Sequence, residues 1–344
     1  MTEIAERKAS HLRLCAEQDV EHRGTTLLEE VRLLHDATPE LSLDDVDLSC
    51  ELFGRRLQAP IFISGMSGGT PEAGTLNRAL ATVAQKCGLG FGVGSQRAML
   101  LHPETAHTYR VRDVAPDILL LGNVGVVQAR EAGPARVAEL VSAIGADALC
   151  VHLNVAQELV QDEGDRDFRG ALAAIEALVD SLPVPVSVKE TGCGLGPRTL
   201  ARLRALGVRW VDVSGAGGTS WTAVESMRGT ERQRALGGDL REWGIPTAAA
   251  IVYARREKLG TLASGGIRSG LDAARALALG ADAVSLALPL LRAWADGGLD
   301  AALAAASRIV EGLRAVVLLT GSRRPEDLAH APRVVGPALR AWLE

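Results

Sequence analysis

The chain has 344 residues, 47% of them hydrophobic and 23% charged, with a formal net charge of −5. That balance excludes a broadly basic nucleic-acid binder. No stretch approaches the roughly 18 apolar residues of a membrane helix, and the opening MTEIAERKAS has no apolar signal core, so a cytoplasmic protein with no membrane or nucleic-acid partner is expected.

Residues 1–60 are polar and charged and read as an N-terminal extension running into the first strand. From there, short β-rich runs alternate with Ala/Leu-rich helical stretches. The strand candidates are 61–64, 89–93, 118–122, 148–152, 185–189, 210–214, 261–264 and 283–286. Helical patterns fall at 72–86, 134–144, 170–181, 197–206 and 271–279, with stops at Gly88, Gly145, Gly207 and Gly280. The repeating strand-then-helix unit predicts an α/β fold, a TIM (β/α)8 barrel over 61–344. An open doubly wound sheet is the alternative; the polar residues just after each strand favour closure. The gap between strands six and seven is the longest. Its extra piece, 215–244, opens Gly-rich and is read as a mobile loop over the site. Five cysteines without a CxxC pair read as reduced thiols.

In such a barrel, function sits on the loops after the strands. Strand one is followed by Gly65-Met66-Ser67-Gly68-Gly69, strand two by Ser95-Gln96-Arg97 and strand three by Asn123. Strand four ends in His152 with Asn154, Gln157 and Glu158 behind it, strand five in Lys189-Glu190, and strand six in SGAGGTS at 214–220. Strand seven runs into Gly265-Gly266-Ile267-Arg268, and strand eight into Ala287-Leu288. The last two loops commonly hold a phosphate in this fold, and glycine lets backbone N–H groups approach an anion. Only four of the 37 basic residues are lysine, and Lys189 ends an apolar strand, where a lysine faces an anion or loses its charge. A carboxylate at the end of strand four suits Mg²⁺ held against a diphosphate. Glu158 is the best candidate, with Asp162, Glu163, Asp165 and Asp167 as competitors, although GDRDFRG reads as a capped helix start.

These residues resemble the flavin-dependent, type 2 isopentenyl diphosphate isomerase family. The resemblance runs from RKASHL at 7–12 to LLTG at 318–321 and is most specific in GVGSQR (92–97), HLNVAQE (152–158) and DVSGAGGTSW (212–221). It implies isomerisation of isopentenyl diphosphate to dimethylallyl diphosphate, with reduced FMN as the acid and base, Mg²⁺, NADPH as reductant, and a homotetramer or larger assembly. It also implies that Gly65, Met66, Ser67, Ser95, Asn123, Lys189, Ser214 and Thr219 contact FMN, with Gly266, Ile267, Arg268, Ala287 and Leu288 at its phosphate end. Arg7, Lys8, His11, Ser95, Gln96, Arg97 and Gln157 would bind substrate, with the 1–60 extension contributing. Glu158 would hold the metal, and His152, Gln157 and Lys189 would serve catalysis. The chain departs from the family pattern at Ala9-Ser10, at GMSGG (65–69) and at Asp162, so a paralogue acting on a related alkenyl diphosphate stays open. So do an FMN-dependent oxidoreductase of the 2-hydroxy acid oxidase type, although SGAGGTS lacks the His and Arg which that chemistry wants, and a non-catalytic flavin-binding protein. A reading like IMP dehydrogenase would need a nucleophilic cysteine on a barrel loop, where Cys193 is the one available.

Overall fold

The computed structural model describes residues 3–344, with side chains from Glu6 onward. Eight parallel strands close into a barrel: β1 (Ile61–Ile63), β2 (Gly90–Gly92), β3 (Leu120–Gly125), β4 (Ala148–His152), β5 (Val186–Lys189), β6 (Trp210–Asp212), β7 (Gly260–Ala263) and β8 (Ala283–Leu286). Each pairs with its chain neighbours, and β8 returns to β1 through Val284–Ile61 and Leu286–Ile63. The strands are short apolar runs buried on both faces, as parallel strands under helices must be. All eight lie at their predicted places, and the predicted glycine stops all adopt positive φ. Among the described residues, no helix is long and apolar enough to cross a membrane.

The extension does two jobs. A helix, Glu3–Glu17, lies at the mouth of the barrel and packs on the helices Trp221–Arg228 and Leu288–Leu319. Farther on, the hairpin Cys50–Leu52/Arg55–Leu57 plugs the opposite end. There Leu52 and Leu57 join Phe62, Leu119, Leu121 and Leu262 in a small cluster, and Phe53 stacks on Trp210 at 4.8 Å. Val31–Leu33 pairs antiparallel with Arg333–Val335, fastening the extension to the C-terminal segment. With one end plugged, the loops after the strands surround the open one.

Two expectations change. Segment 215–244 is not an unstructured loop: it folds into helices Trp221–Arg228 and Glu231–Asp239, packed on each other. Ser220 caps the first, accepting from Ala223 N at 3.3 Å, and Thr230 with Gln233 forms a capping box on the second. The face Thr222-Ala223-Val224-Glu225 is buried, which fixes the hairpin over the barrel. Likewise, GDRDFRG does not start a helix. The helix begins at Ala171, after Gly170 in the left-handed region with no side-chain cap, and the preceding loop serves Glu158 instead.

Candidate active site

Two connected lobes open at the mouth of the barrel, sharing His11, Gly65, Met66, Lys189, Thr191 and Trp221 in their walls. Together these residues bring the N-terminal helix, β1, β5 and the helical hairpin to one place.

The first lobe, about 800 Å³, is lined by Ser214, Thr219, Gly266, Ile267, Arg268, Ala287 and Leu288, among others. The helix Leu288–Leu319 begins in its wall, with Ala287 as an N-cap that makes no side-chain cap bond, and such a helix end suits an anion. The two glycine loops here serve each other as much as any ligand. A Cβ on Gly218 would stand 2.4 Å from Gly266 N, and one on Gly266 would stand 2.3 Å from Thr26 Cγ2. Gly266 also has φ +81°. Ser214, a non-glycine residue, is held at φ 37°, a strained conformation that the structure around it must enforce. Arg268 is engaged: its guanidinium pairs with Glu21 at 2.5 Å, and Glu21 also holds Arg292 at 2.9 Å. Partial burial pushes the Glu21 carboxyl up, but the two guanidinium groups outweigh it and hold the group below the usual range.

The second lobe, about 820 Å³, is lined by Arg7, Lys8, Ser67, Ser95, Arg97, Asn123, His152, Gln157 and Glu158 in addition to the shared residues. Its charge is one-sided. Among the described residues, Lys8, Arg97 and Lys189 form no ion pair with any carboxylate, whereas Arg7 pairs with Glu163 at 3.1 Å. Lys8 is buried and donates to Ser95 O at 2.9 Å and Tyr109 Oη at 3.0 Å. Burial, then Arg7 and Arg97, pull its ammonium down to about 7. His152 is pulled further, to about 3, by burial and by Lys189, Lys8 and Arg97. The neutral ring is oriented by Asn123. That amide donates to Val93 O at 3.1 Å, so its oxygen faces His152 Nδ1 at 2.9 Å, which makes Nδ1 the donor and leaves a lone pair on Nε2. His152 is therefore not one of the lobe's cations. Among the described residues, Ser67 Oγ is buried without a partner, and a polar group in the cleft would satisfy it.

Glu158 is the one carboxylate among the described residues lining this lobe. One oxygen accepts from Asn154 Nδ2 at 2.8 Å and the other from Asp165 N at 2.7 Å. Three of its acidic competitors are used elsewhere, Glu163 by Arg7, Asp165 by Gln128 Nε2 at 2.9 Å and Asp167 by Arg169, and the fourth, Asp162, is exposed and does not line the lobe. Among the described residues, no three His, Cys, Asp or Glu groups cluster as a self-sufficient metal cage. A lone carboxylate suits Mg²⁺, which usually takes one or two carboxylates and completes its shell with water and substrate phosphate.

Of the residues marked out by sequence, one stands apart. Gln96 is fully buried behind the wall. Its amide donates to Leu140 O at 3.0 Å and accepts from Asn123 N at 3.0 Å, so it braces β3 and does not face the cleft. Conversely, Glu225 was not foreseen. Buried on the hairpin, it accepts from Gln157 Nε2 at 2.9 Å and Arg228 Nη1 at 2.8 Å and lies 2.9 Å from His11 Nε2. Burial raises its carboxyl, but His11, Gln157 and Arg228 hold it below the ordinary value. Trp221, edge-on to His11 at 5.2 Å, completes the roof.

A family model described as FMN-dependent dehydrogenase matches residues 147–334. Solved structures with this fold include a lactate oxidase of Pediococcus acidilactici (TM-score 0.69, 14% identity, 96% of this chain and 91% of that one). A mandelate oxidase with a C4a-OH-FMN adduct is also similar (TM-score 0.65, 17% identity, 96% and 99%). At such identities the likeness is one of fold. Sequence relatives are far nearer. Proteins named isopentenyl-diphosphate delta-isomerase from Aeropyrum pernix (45% identity, 96% of this chain, 89% of theirs) and Methanothermobacter thermautotrophicus (43%, 99%, 96%) match almost end to end. The relative of that name from Synechococcus sp. reaches 52% over 84% of both chains. The chain belongs to the type 2, FMN-dependent isopentenyl-diphosphate delta-isomerase family.

Proposed function

We propose that the protein isomerises isopentenyl diphosphate to dimethylallyl diphosphate, with FMN in the first lobe and the diphosphate in the second. The observation that carries this reading is the set of cations that form no ion pair among the described residues, Lys8, Arg97 and Lys189, around a lobe whose described lining holds a single carboxylate. A small, multiply charged anion is the ligand that such a set stabilises. Bound in its reduced form, FMN would supply the acid and base that add a proton at the terminal alkene carbon, C4, and remove one from C2, the carbon beside the alkene. Gly65, Met66, Ser67, Ser95, Asn123, Lys189, Ser214 and Thr219 would hold the ring and chain of FMN. Gly266, Ile267, Arg268, Ala287 and Leu288 would hold its phosphate end. NADPH as the reductant and a homotetramer or larger assembly come with the family resemblance.

The protein's own work is positional and electrostatic. Lys189, at the junction of the lobes, lies where it can balance negative charge on the reduced flavin. Arg7, Lys8 and Arg97 grip the diphosphate, and Glu158 shares a Mg²⁺ with it. Neutral His152 offers a lone pair and shape to the lobe, not charge. Glu225 holds Gln157 and His11 in place, while Trp221 covers the cleft. With the roof closed, a short-lived carbocation is shielded from water.

The test is to incubate reduced, FMN-loaded protein and Mg²⁺ with isopentenyl diphosphate in D₂O. Deuterium in dimethylallyl diphosphate supports the reading, and Glu158→Gln should blunt the Mg²⁺ response while leaving FMN bound. Absence of turnover would overturn it in favour of a non-catalytic flavin-binding protein, and bleaching of the oxidised flavin by a 2-hydroxy acid in favour of the oxidase alternative.

A further inference from the structure

Tyr109 is fully buried between β2 and β3, outside every motif described above. Its hydroxyl donates to Ser95 O at 2.9 Å and accepts from Lys8 Nζ at 3.0 Å. Lys8 Nζ donates to the same carbonyl at 2.9 Å and lies 5.5 Å from the centre of the tyrosine ring. The three groups form a closed triangle at the wall of the second lobe. Space for the ring comes from the loop after β1: a Cβ on Gly68 would stand 2.0 Å from the Tyr109 ring. Gly68 of GMSGG, which the cofactor reading leaves without a task, thus makes room for this tyrosine.

We propose that Tyr109 is a positioning residue for substrate binding, holding the Lys8 ammonium at the wall of the diphosphate lobe. The assignment rests on the reading of that lobe as a diphosphate site. An ammonium has three N–H donors. Two are committed to Tyr109 and Ser95, which fixes the direction of the third. A phenol suits this role better than a carboxylate. Burial pushes the Tyr109 hydroxyl well above the usual phenol range, so it stays neutral and holds Lys8 without cancelling its charge. A carboxylate there would pair with Lys8 and weaken its pull on an anion. The other groups acting on Lys8 are Arg7 on its own helix and Arg97 after β2, both cationic, with neutral His152 on β4 within the same field. The tyrosine therefore keeps in place a cation that its surroundings would otherwise expel or discharge.

The experiment uses FMN-loaded protein, with inorganic pyrophosphate and Mg²⁺ as the binding probe and isopentenyl diphosphate for kinetics. Tyr109→Phe keeps the ring and removes only the hydroxyl. A lost bond to a charged group should weaken pyrophosphate binding about ten- to a hundredfold. KM should rise in parallel with kcat nearly unchanged, the signature of lost ground-state binding. In a Lys8→Met background the same change should have no further effect. Fluorotyrosine at position 109, which keeps the shape and weakens the oxygen as an acceptor, should shift affinity the same way by less. Wild-type affinity in Tyr109→Phe, or an equal loss in the Lys8→Met background, overturns the assignment alone. Failure of the wild-type protein to bind pyrophosphate removes the diphosphate reading and this assignment together.

Discussion

Replacing Lys8 by Met should seat the N-terminal helix more firmly on the ligand-free protein while weakening substrate binding. Lys8 titrates at about 7 in its docked place, against 10.5 ordinarily. At roughly 1.4 kcal/mol per pH unit, holding it charged there costs about 5 kcal/mol. Methionine has a similar length and no charge, and forfeits only the two bonds that a neutral amine would keep to Ser95 and Tyr109, about 0.5–1.5 kcal/mol each and so about 1–3 kcal/mol together, because the docked titration point already contains the bonds of the charged form. Docking of Glu3–Glu17 should therefore gain roughly 2–4 kcal/mol in Lys8→Met near or below neutral pH. The sign follows from proton counting. The docked pKa is the lower one, so between about 7 and 10.5 the undocked helix binds more protons, and wild-type docking strengthens as pH rises. The penalty is fully present below about 7. Limited proteolysis of the N-terminal helix in FMN-loaded protein, without diphosphate, reads this directly. Lys8→Met should be cut more slowly than wild type near pH 6.5, with the advantage shrinking toward pH 9.5. Pyrophosphate should narrow the gap from the other side by pairing with the wild-type lysine. Faster cutting of Lys8→Met near pH 6.5, or a ratio constant across pH, would refute the argument.

Lys189→Ala should lower the reduction potential of bound FMN and slow turnover about ten- to a hundredfold, as expected from a charge-assisted contact made mainly to the reduced form; a potential and rate equal to wild type would make Lys189 structural. Glu225→Ala strands Arg228 and His11 beneath the roof and should destabilise the fold by about 3–5 kcal/mol, visible as a lower denaturant midpoint; an unchanged midpoint would mean that the carboxylate is dispensable to the fold. Burial and the nearby cations should keep the His152 ring from titrating between pH 5 and 8 in the ligand-free protein; an NMR signal shifting near its ordinary 6.5 would show that the lobe is wetter than its geometry implies.

The barrel was legible because each strand is a short apolar run followed by polar residues, and because the glycine stops lie where chains must turn. The site was legible for a related reason: parallel closure forces the ends of all eight strands to one rim, so residues such as Lys189, Glu158 and Arg268 could be gathered without contact information. Gln96 was misplaced because it lies between two cleft residues, Ser95 and Arg97, while its own side chain turns behind the wall to brace β3. Segment 215–244 misled through its glycines. Ser220 and the Thr230–Gln233 box were readable start signals, but Gly215, Gly217 and Gly218 outweighed them as signs of a loop. Glu225 was hidden for the same reason, since no carboxylate on a supposed loop suggests a buried hub. The pairing of Arg268 with Glu21 links residues 247 positions apart and left no local trace.

Glu225 also bears on how such a protein can be altered. It is the common acceptor of three segments remote in sequence: the N-terminal helix through His11, the short helix Val155–Val160 after β4 through Gln157, and its own hairpin through Arg228. None can be exchanged for a foreign version without restoring that meeting point. A chimera that imports the 215–244 hairpin from a distant homologue has to import matching partners at positions 11 and 157, or accept an entrance whose cover no longer latches. The modular look of a (β/α)8 barrel, one loop per strand, is thus misleading at this rim, where the unit of inheritance is a trio of segments.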